Sequence, residues 1–202
     1  MTNLPLRTRA PRLIVISGPS GSGKSTIVQR VLSDSQVRAR LSVSSTTREP
    51  RKGERPGIDY DFLSREEFER KVANGELLEW AEVHGNLYGT PRQPVLDALN
   101  EGYCVLLEID VQGALQVVES LRDCLLVFIH PPDLTTLEQR LRQRGSESEA
   151  RIRQRLENAK NELAQSHHYP HSIVNHDLDR AVEELVHLLV EQGCGRGEST
   201  HA

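Results

Sequence analysis

The sequence predicts an α/β fold of three layers, a parallel sheet covered by helices on both faces, with a small mixed α+β lobe inserted into it. Three observations carry that expectation. Short apolar runs rich in β-branched residues (Leu13-Ile14-Val15-Ile16, Cys104 to Ile109, Leu125 to His130) alternate with stretches of helical spacing, the pattern of buried parallel strands with crossover helices. The first run leads through Gly18-Pro19-Ser20-Gly21-Ser22-Gly23-Lys24-Ser25 into a helix, and this loop fits G-x-x-x-x-G-K-[ST] at every fixed position. Between about Ser42 and Pro91 the alternation stops, and several strands follow one another in quick succession.

Bulk properties narrow the function classes. The chain has 202 residues, which suits one domain with an insertion or two small lobes. No apolar run approaches the ~20 residues needed to span a bilayer, and Met1 to Pro11 lacks the apolar stretch of a secretory signal, so it reads as a disordered leader. A net charge of −4 argues against a nucleic-acid polymer as partner. Cys104, Cys124 and Cys194 are odd in number and show no C-x-x-C spacing. They read as free thiols in a reducing compartment, the cytoplasm. The residues fix no oligomeric state.

Taken in order, Leu13 to Ile16 is the first strand. In the loop, glycines let backbone N–H groups turn inward around a phosphate. Lys24 reaches the outer phosphates, and the Ser25 hydroxyl is placed to coordinate Mg²⁺. Ile27, Val28, Val31 and Leu32 then give the helix its buried face. A strand from Leu41 to Ser44 opens the inserted lobe and leads into Ser45 to Arg51, followed by the turn-rich Lys52 to Gly57. Ser64-Arg65-Glu66-Glu67 is a capping box whose helix stops at Asn74-Gly75. Glu76 to Val83 is a strand, His84-Gly85-Asn86 a turn, and Leu87-Tyr88-Gly89 the return. The core resumes with a helix from Gln93 to Glu101, the strand to Ile109, a helix from Gly113 to Ser120, the strand to His130 and a helix from Asp133 to Arg144. A second capping box, Ser146 to Glu149, opens a long helix to about Gln165. A strand from Ser172 to Asn175 and an amphipathic helix with Leu185, Leu188 and Leu189 close the fold. Gly193 to Ala202 reads as a disordered polar tail.

Several constellations carry chemistry. Arg48, Arg51, Tyr60 and Tyr88 offer guanidinium forks and phenols for a second phosphate. Glu79 stands on the apolar strand Leu77-Leu78-Glu79-Trp80-Ala81, with Trp80 expected in the core behind it. A fixed carboxylate accepts two parallel N–H bonds, which guanine offers at N1 and its amine; adenine presents an acceptor at N1. Arg140 and Arg144, then Arg151 and Arg155, are spaced four apart on consecutive helices. Arg140, Arg144 and Arg155 suit a helical lid over a triphosphate, and Arg151 suits a salt bridge or solvent. Asp110, after a core strand, is placed to hold Mg²⁺ through water. His167, His168, His171 and His176, with no cysteine nearby, do not read as a metal site.

With these motifs together the chain resembles the guanylate kinases of the nucleoside monophosphate kinase group, which are P-loop phosphotransferases. The resemblance rests on Gly18 to Ser25, Ser42 to Arg51, Gly57-Ile58-Asp59-Tyr60, Glu79-Trp80-Ala81, Tyr88-Gly89-Thr90, Ile109 to Gly113 and Arg140 to Arg155. It implies a P-loop core (12–41 and 92–192), a GMP-binding lobe (42–91) and a lid (about 140–157). It implies that the loop, with Thr26, Arg140, Arg144, Asn175 and His176, binds ATP with Mg²⁺ at Ser25. It assigns GMP to Ser44, Arg48, Arg51, Tyr60, Glu79, Tyr88, Thr90 and Asp110, and catalysis to Lys24, Arg51, Arg144 and Arg155. His176 departs from the family pattern, which has aspartate there. Two other classes share part of this sequence. Asp110-Val111-Gln112-Gly113 fits the D-x-x-G of a GTPase switch, but the N-K-x-D that reads guanine in such proteins is missing. An inactive guanylate-kinase-like scaffold would lack the intact loop and lid that Lys24, Arg144 and Arg155 represent here.

Overall fold

The computed structural model describes residues 12–83, 85–121, 123–143 and 149–196. Its larger sheet has five strands in the order β2-β7-β1-β8-β9, all paired in parallel. These are β1 (Leu13–Ser17), β2 (Ala39–Leu41), β7 (Cys104–Glu108), β8 (Cys124–His130) and β9 (His171–Val174). β1 is central and buried at every residue, as its unbroken apolar run requires. Alternation along it feeds two cores. Ile14 and Ile16 pack with Ile27 and Val31 of α1 (Lys24–Leu32) and with Leu185 and Leu189 of α7 (Leu178–Leu189). Leu13 and Val15 pack with Val95 of α3 (Arg92–Asn100) and Val117 of α4 (Val111–Ser120). Each such buried side chain contributes about 1.5–3 kcal/mol through removal from water. The sheet therefore holds the loop after β1 between two filled layers.

The inserted segment forms a second sheet, β4-β3-β6-β5. β3 (Ser45–Thr46) runs parallel to β4 (Asp61–Phe62) and antiparallel to β6 (Asn86–Pro91), which is antiparallel to β5 (Leu77–Val83). The expected strand from Leu41 to Ser44 is split: β2 ends at Leu41 and β3 begins at Ser45, in different sheets. The Ser64 capping box is present with both of its bonds, and it starts α2 (Arg65–Ala73), whose Phe68 fills a small core with Leu77 and Leu87. A register shift between Leu77 and Glu79 lets β5 serve two cores: Leu77 packs inside the lobe, Leu78 against α3 and α4. Trp80 is not core. It is 41% exposed, because Glu79 takes the inward position (5% exposed) and the pleat turns the next residue to the open face.

The remaining helices are α5 (Leu134–Gln143) and α6 (Glu149–Ala164), with Leu137, Leu141 and Ala159 buried between them. The C-terminal expectation needs correction. Cys194 is 1% exposed and forms a disulfide with Cys104, their Cα atoms 5.6 Å apart. Gly195 bridges Val37, and the Arg196 N–H donates to the Gln36 carbonyl. Residues 193–196 are thus part of the fold, because Gly193, at φ 91°, turns the chain back under the sheet edge after α7. Of the three cysteines only Cys124 is a free thiol. The expected leader, Met1 to Pro11, and 197–202 lie outside the described residues.

Candidate active site

The loop after β1 is shaped by what surrounds it. Gly18 has φ 142°, and a Cβ there would stand 2.2 Å from the Ile129 carbonyl oxygen of β8. Gly23, at φ 95°, opens α1, and a Cβ there would stand 2.2 Å from Asn175 Nδ2. Both glycines are therefore required by close approach as well as by backbone angle. The Lys24 ammonium folds back to donate to the Gly18 and Pro19 carbonyls. Ser25 Oγ donates to Glu108 Oε1 at 2.6 Å, joining the start of α1 to the end of β7.

Behind the loop, Asn175 is 5% exposed and donates from Nδ2 to the Ser22 carbonyl at 2.8 Å. The Arg140 guanidinium lies 3.5 Å from the carbonyls of Gly21, Ser22 and Asn175. These two residues brace the back of the loop rather than reach across its front. His176 is exposed. Arg155, on α6, does come to the front and donates to Ser20 Oγ. Arg144 lies outside the described residues.

The inserted lobe supplies the facing wall. Glu79 Oε1 accepts a 2.6 Å hydrogen bond from Thr90 Oγ1, and both residues are buried. Burial pushes the Glu79 carboxyl up to about 7, with the negative charge of Asp110 adding to the rise and the Thr90 bond opposing it. Asp110 caps α4, accepting from the Gly113 N–H at 2.8 Å. Arg48 is engaged by Glu54 through two bonds of 2.9 and 3.0 Å, and Glu54 also accepts from the Arg51 N–H at 2.7 Å. The hydrogen bonds from Arg48 hold the Glu54 carboxyl below its ordinary value. Tyr60 and Tyr88 meet edge to face, their centroids 6.0 Å apart.

The two walls enclose one cleft of about 670 Å³. Gly18, Lys24 and Ser25 line one side; Ser44, Arg51, Tyr60, Glu79 and Tyr88 line the other; Asp110 lies between them. Thr90, Arg48, Arg140, Asn175 and His176 are outside this lining; Thr90 bonds to Glu79, Arg48 stands over the Tyr60 ring, Arg140 meets the Gly21 carbonyl and Asn175 abuts Gly23, all behind the lining. A second cavity, about 680 Å³, lies between Arg40, Arg92 and Val95 of the core side and Asp61 and Lys71 of the lobe, away from the loop.

A cleft with a phosphate loop on one wall and a buried carboxylate on the other is the arrangement of a nucleotide phosphotransferase. The family model for guanylate kinase matches residues 10–192. The chain belongs to the guanylate kinase family. Guanylate kinase from Streptomyces kasugaensis is 52% identical over 186 residues, covering 92% of this chain and 90% of the relative. Guanylate kinase from Gloeobacter violaceus is 50% identical over 181 residues, 90% of this chain and 88% of its own length. A crystal structure of guanylate kinase from Anaplasma phagocytophilum superimposes with a TM-score of 0.74 at 35% identity, covering 95% of this chain and 93% of that one. The GTPase switch and the inactive scaffold gain no support from these relatives.

Three residues of this guanylate kinase were not singled out for the site by their sequence pattern. Glu108, not Asp110, is the acid that meets Ser25. Arg151 lines the cleft beside Arg155 instead of facing solvent alone. Glu162, on α6, also lines it, and burial pushes its carboxyl up to about 7 while the charge of Lys24 pulls the other way.

Proposed function

We propose that this guanylate kinase transfers the γ-phosphoryl group of ATP to GMP, giving ADP and GDP, and that it requires Mg²⁺. The observation that carries this reading is that the phosphate loop and Glu79, held from behind by Thr90, open onto the same cleft. In this reading residues 12–41 and 92–192 are the ATP-binding core, 42–91 the GMP lobe and about 140–157 the lid. Gly18 to Thr26 hold the ATP phosphates. Arg140 and Asn175 support the loop from behind, with His176 at the adenine end. Glu79 and Ser44 read guanine, with Thr90 orienting the Glu79 carboxylate and Asp110 setting its charge environment. Arg48, Arg51, Tyr60 and Tyr88 hold the GMP phosphate.

The Ser25 hydroxyl against the Glu108 carboxylate is a pair of hard oxygen donors beside the loop, which suits Mg²⁺. The ion would be held by Ser25 directly and by Glu108 or Asp110 through water, where it would neutralise phosphate charge. The phosphate of GMP is already an anionic nucleophile, so no general base is needed. Lys24, Arg51, Arg144 and Arg155 stabilise the charge that develops on the transferring group. Closure of the lid excludes water, which would otherwise accept the phosphoryl group.

No described helix is long and apolar enough to cross a membrane. In this reading ATP and GMP are its partners and the cytoplasm its compartment, although the Cys104–Cys194 disulfide removes the free-thiol argument for the latter. The test is a coupled assay of ADP production with GMP, AMP, UMP and dTMP offered in turn beside Mg-ATP. Turnover of GMP alone is expected; equal turnover of AMP would remove the guanine reading.

A further inference from the structure

The strand that carries Glu79 is an edge strand: β5 pairs only with β6 in the lobe sheet. An edge leaves peptide N–H and C=O groups without a strand partner. At Trp80 one side chain takes that place. Gln116 Nε2 donates to the Trp80 carbonyl at 2.8 Å, and Gln116 Oε1 accepts from the Trp80 N–H at 3.2 Å. A primary amide has a donor and an acceptor side by side, so it can satisfy both groups of one peptide-bonded residue as a neighbouring strand would.

Gln116 lies on α4, and the same face of α4 meets the adjacent Glu79 at two further positions. Asp110, its N-cap, adds its negative charge beside the carboxyl. Gly113 is buried, and a Cβ there would stand 2.4 Å from Glu79 Oε2. Positions 110, 113 and 116 are each three apart and share one face of the helix. Below them Leu78 packs with Val111 and Ala114. The base-reading end of the lobe is thereby bolted to a helix of the core, whereas Arg48, Arg51 and Tyr60 lie in the connection between β3 and β4, on the far side of the same sheet.

We propose that Gln116 is a positioning residue for guanine selection: by clamping the Trp80 peptide from the core helix, it fixes where the Glu79 carboxylate stands. The proposal rests on the assignment of guanine to Glu79. Without the clamp, β5 keeps its pairing with β6 but loses its register against α4. The two acceptor positions that match guanine N1 and its amine then blur. The consequence falls on GMP and on base choice, not on ATP.

The test compares Gln116→Met, which keeps side-chain volume but makes neither bond, with Gln116→Ala, and uses Glu79→Gln as a control. Two lost bonds predict a KM for GMP raised about tenfold in both Gln116 variants, with kcat and the KM for ATP changed less than about twofold. The preference in kcat/KM for GMP over inosine monophosphate, which lacks the exocyclic amine, should shrink by a similar factor. Met behaving as wild type would overturn the proposal, since it would show that Gln116 only fills space. KM values for GMP and ATP rising together with a falling Tm would overturn it as well. An unaltered KM for GMP in Glu79→Gln would instead remove the guanine assignment beneath it, which distinguishes the two failures. If the Ala variant does not fold, the Met variant carries the comparison alone.

Discussion

Thr90 Oγ1 donates to Glu79 Oε1 at 2.6 Å, and this neutral hydroxyl works against a burial that pushes the carboxyl up to about 7. On the proposed assignment of guanine to Glu79, its protonation removes one acceptor for the base. The KM for GMP should therefore rise as pH falls below about 7, while the KM for ATP follows a different profile. Thr90→Val should move the GMP profile to higher pH. Steady-state kinetics between pH 5.5 and 8.5 decide this, and a flat GMP profile would contradict it.

The same shift fixes the sign of a stability effect. The folded state binds a proton at Glu79 more tightly than the unfolded chain, whose carboxyl titrates near 4.5. Stability from this group is fully present below that value and is lost as pH rises through about 7, and Glu162 acts in the same direction. Glu79→Gln should thus be more stable than wild type at pH 8, with the gap closing towards pH 5, even as it weakens GMP use. Thermal melts of the ligand-free proteins at both pH values are the check.

Arg155 reaches Ser20 across the front of the loop. Arg155→Ala should slow phosphoryl transfer by ~10²-fold or more and leave GMP binding nearly intact, as expected for charge stabilisation confined to the transition state. Equal kcat in variant and wild type would take Arg155 out of the catalytic set.

The Cys104–Cys194 bridge closes a sequence separation of 90 residues. A link of this kind stabilises by about 2–4 kcal/mol, which for a chain this long corresponds to a Tm change of roughly 5–15 °C. Cys194→Ala should show that loss against the oxidised wild type, with kcat at 25 °C unchanged because neither cysteine lines the cleft. Coincident melting curves would mean the bridge contributes nothing.

Motion should be uneven across the lobe. The β5 edge beside Glu79 is held to α4 through Gln116, whereas Arg48 and Tyr60 lie in the connection between β3 and β4, so on the proposed assignments closure should swing the phosphate-gripping side about the guanine side. A bisubstrate mimic, adenosine and guanosine joined through a phosphate chain, should reduce the radius of gyration in small-angle scattering. An unchanged radius would show the cleft preformed.

The legible parts of this molecule are those whose chemistry is local. The loop from Gly18 to Ser25 is written in consecutive residues, and the strand before it and helix after it follow from apolar spacing. Glu79 stood out because an acid interrupts an apolar strand. Alternation puts Trp80 opposite Glu79 but does not say which of the two faces is open, and it is the Trp80 face. Cys194 meets Cys104 only once α7 has crossed the sheet, and no spacing over 90 residues encodes that. Glu108 and Glu162 were two acids among 29 acidic residues, distinguished only by what the folded chain brings beside them. Gln116 binds a backbone rather than a side chain, so no pairing of residue types points to it.

The Arg48–Glu54 pair has a bearing on which ligands register at all. A guanosine without phosphate leaves that pair intact and draws no attraction from it. If the ligand phosphate binds at Arg48 as proposed, its double charge would compete with the single Glu54 carboxylate for the same guanidinium, leaving Glu54 with its bond from the Arg51 N–H. The lobe thus holds its own placeholder anion, and a ligand must outbid it. On the proposed assignments this would act as a threshold on ligand charge, set inside the protein and independent of base recognition, so that a nucleoside would leave the Arg48–Glu54 pair closed where a nucleotide opens it.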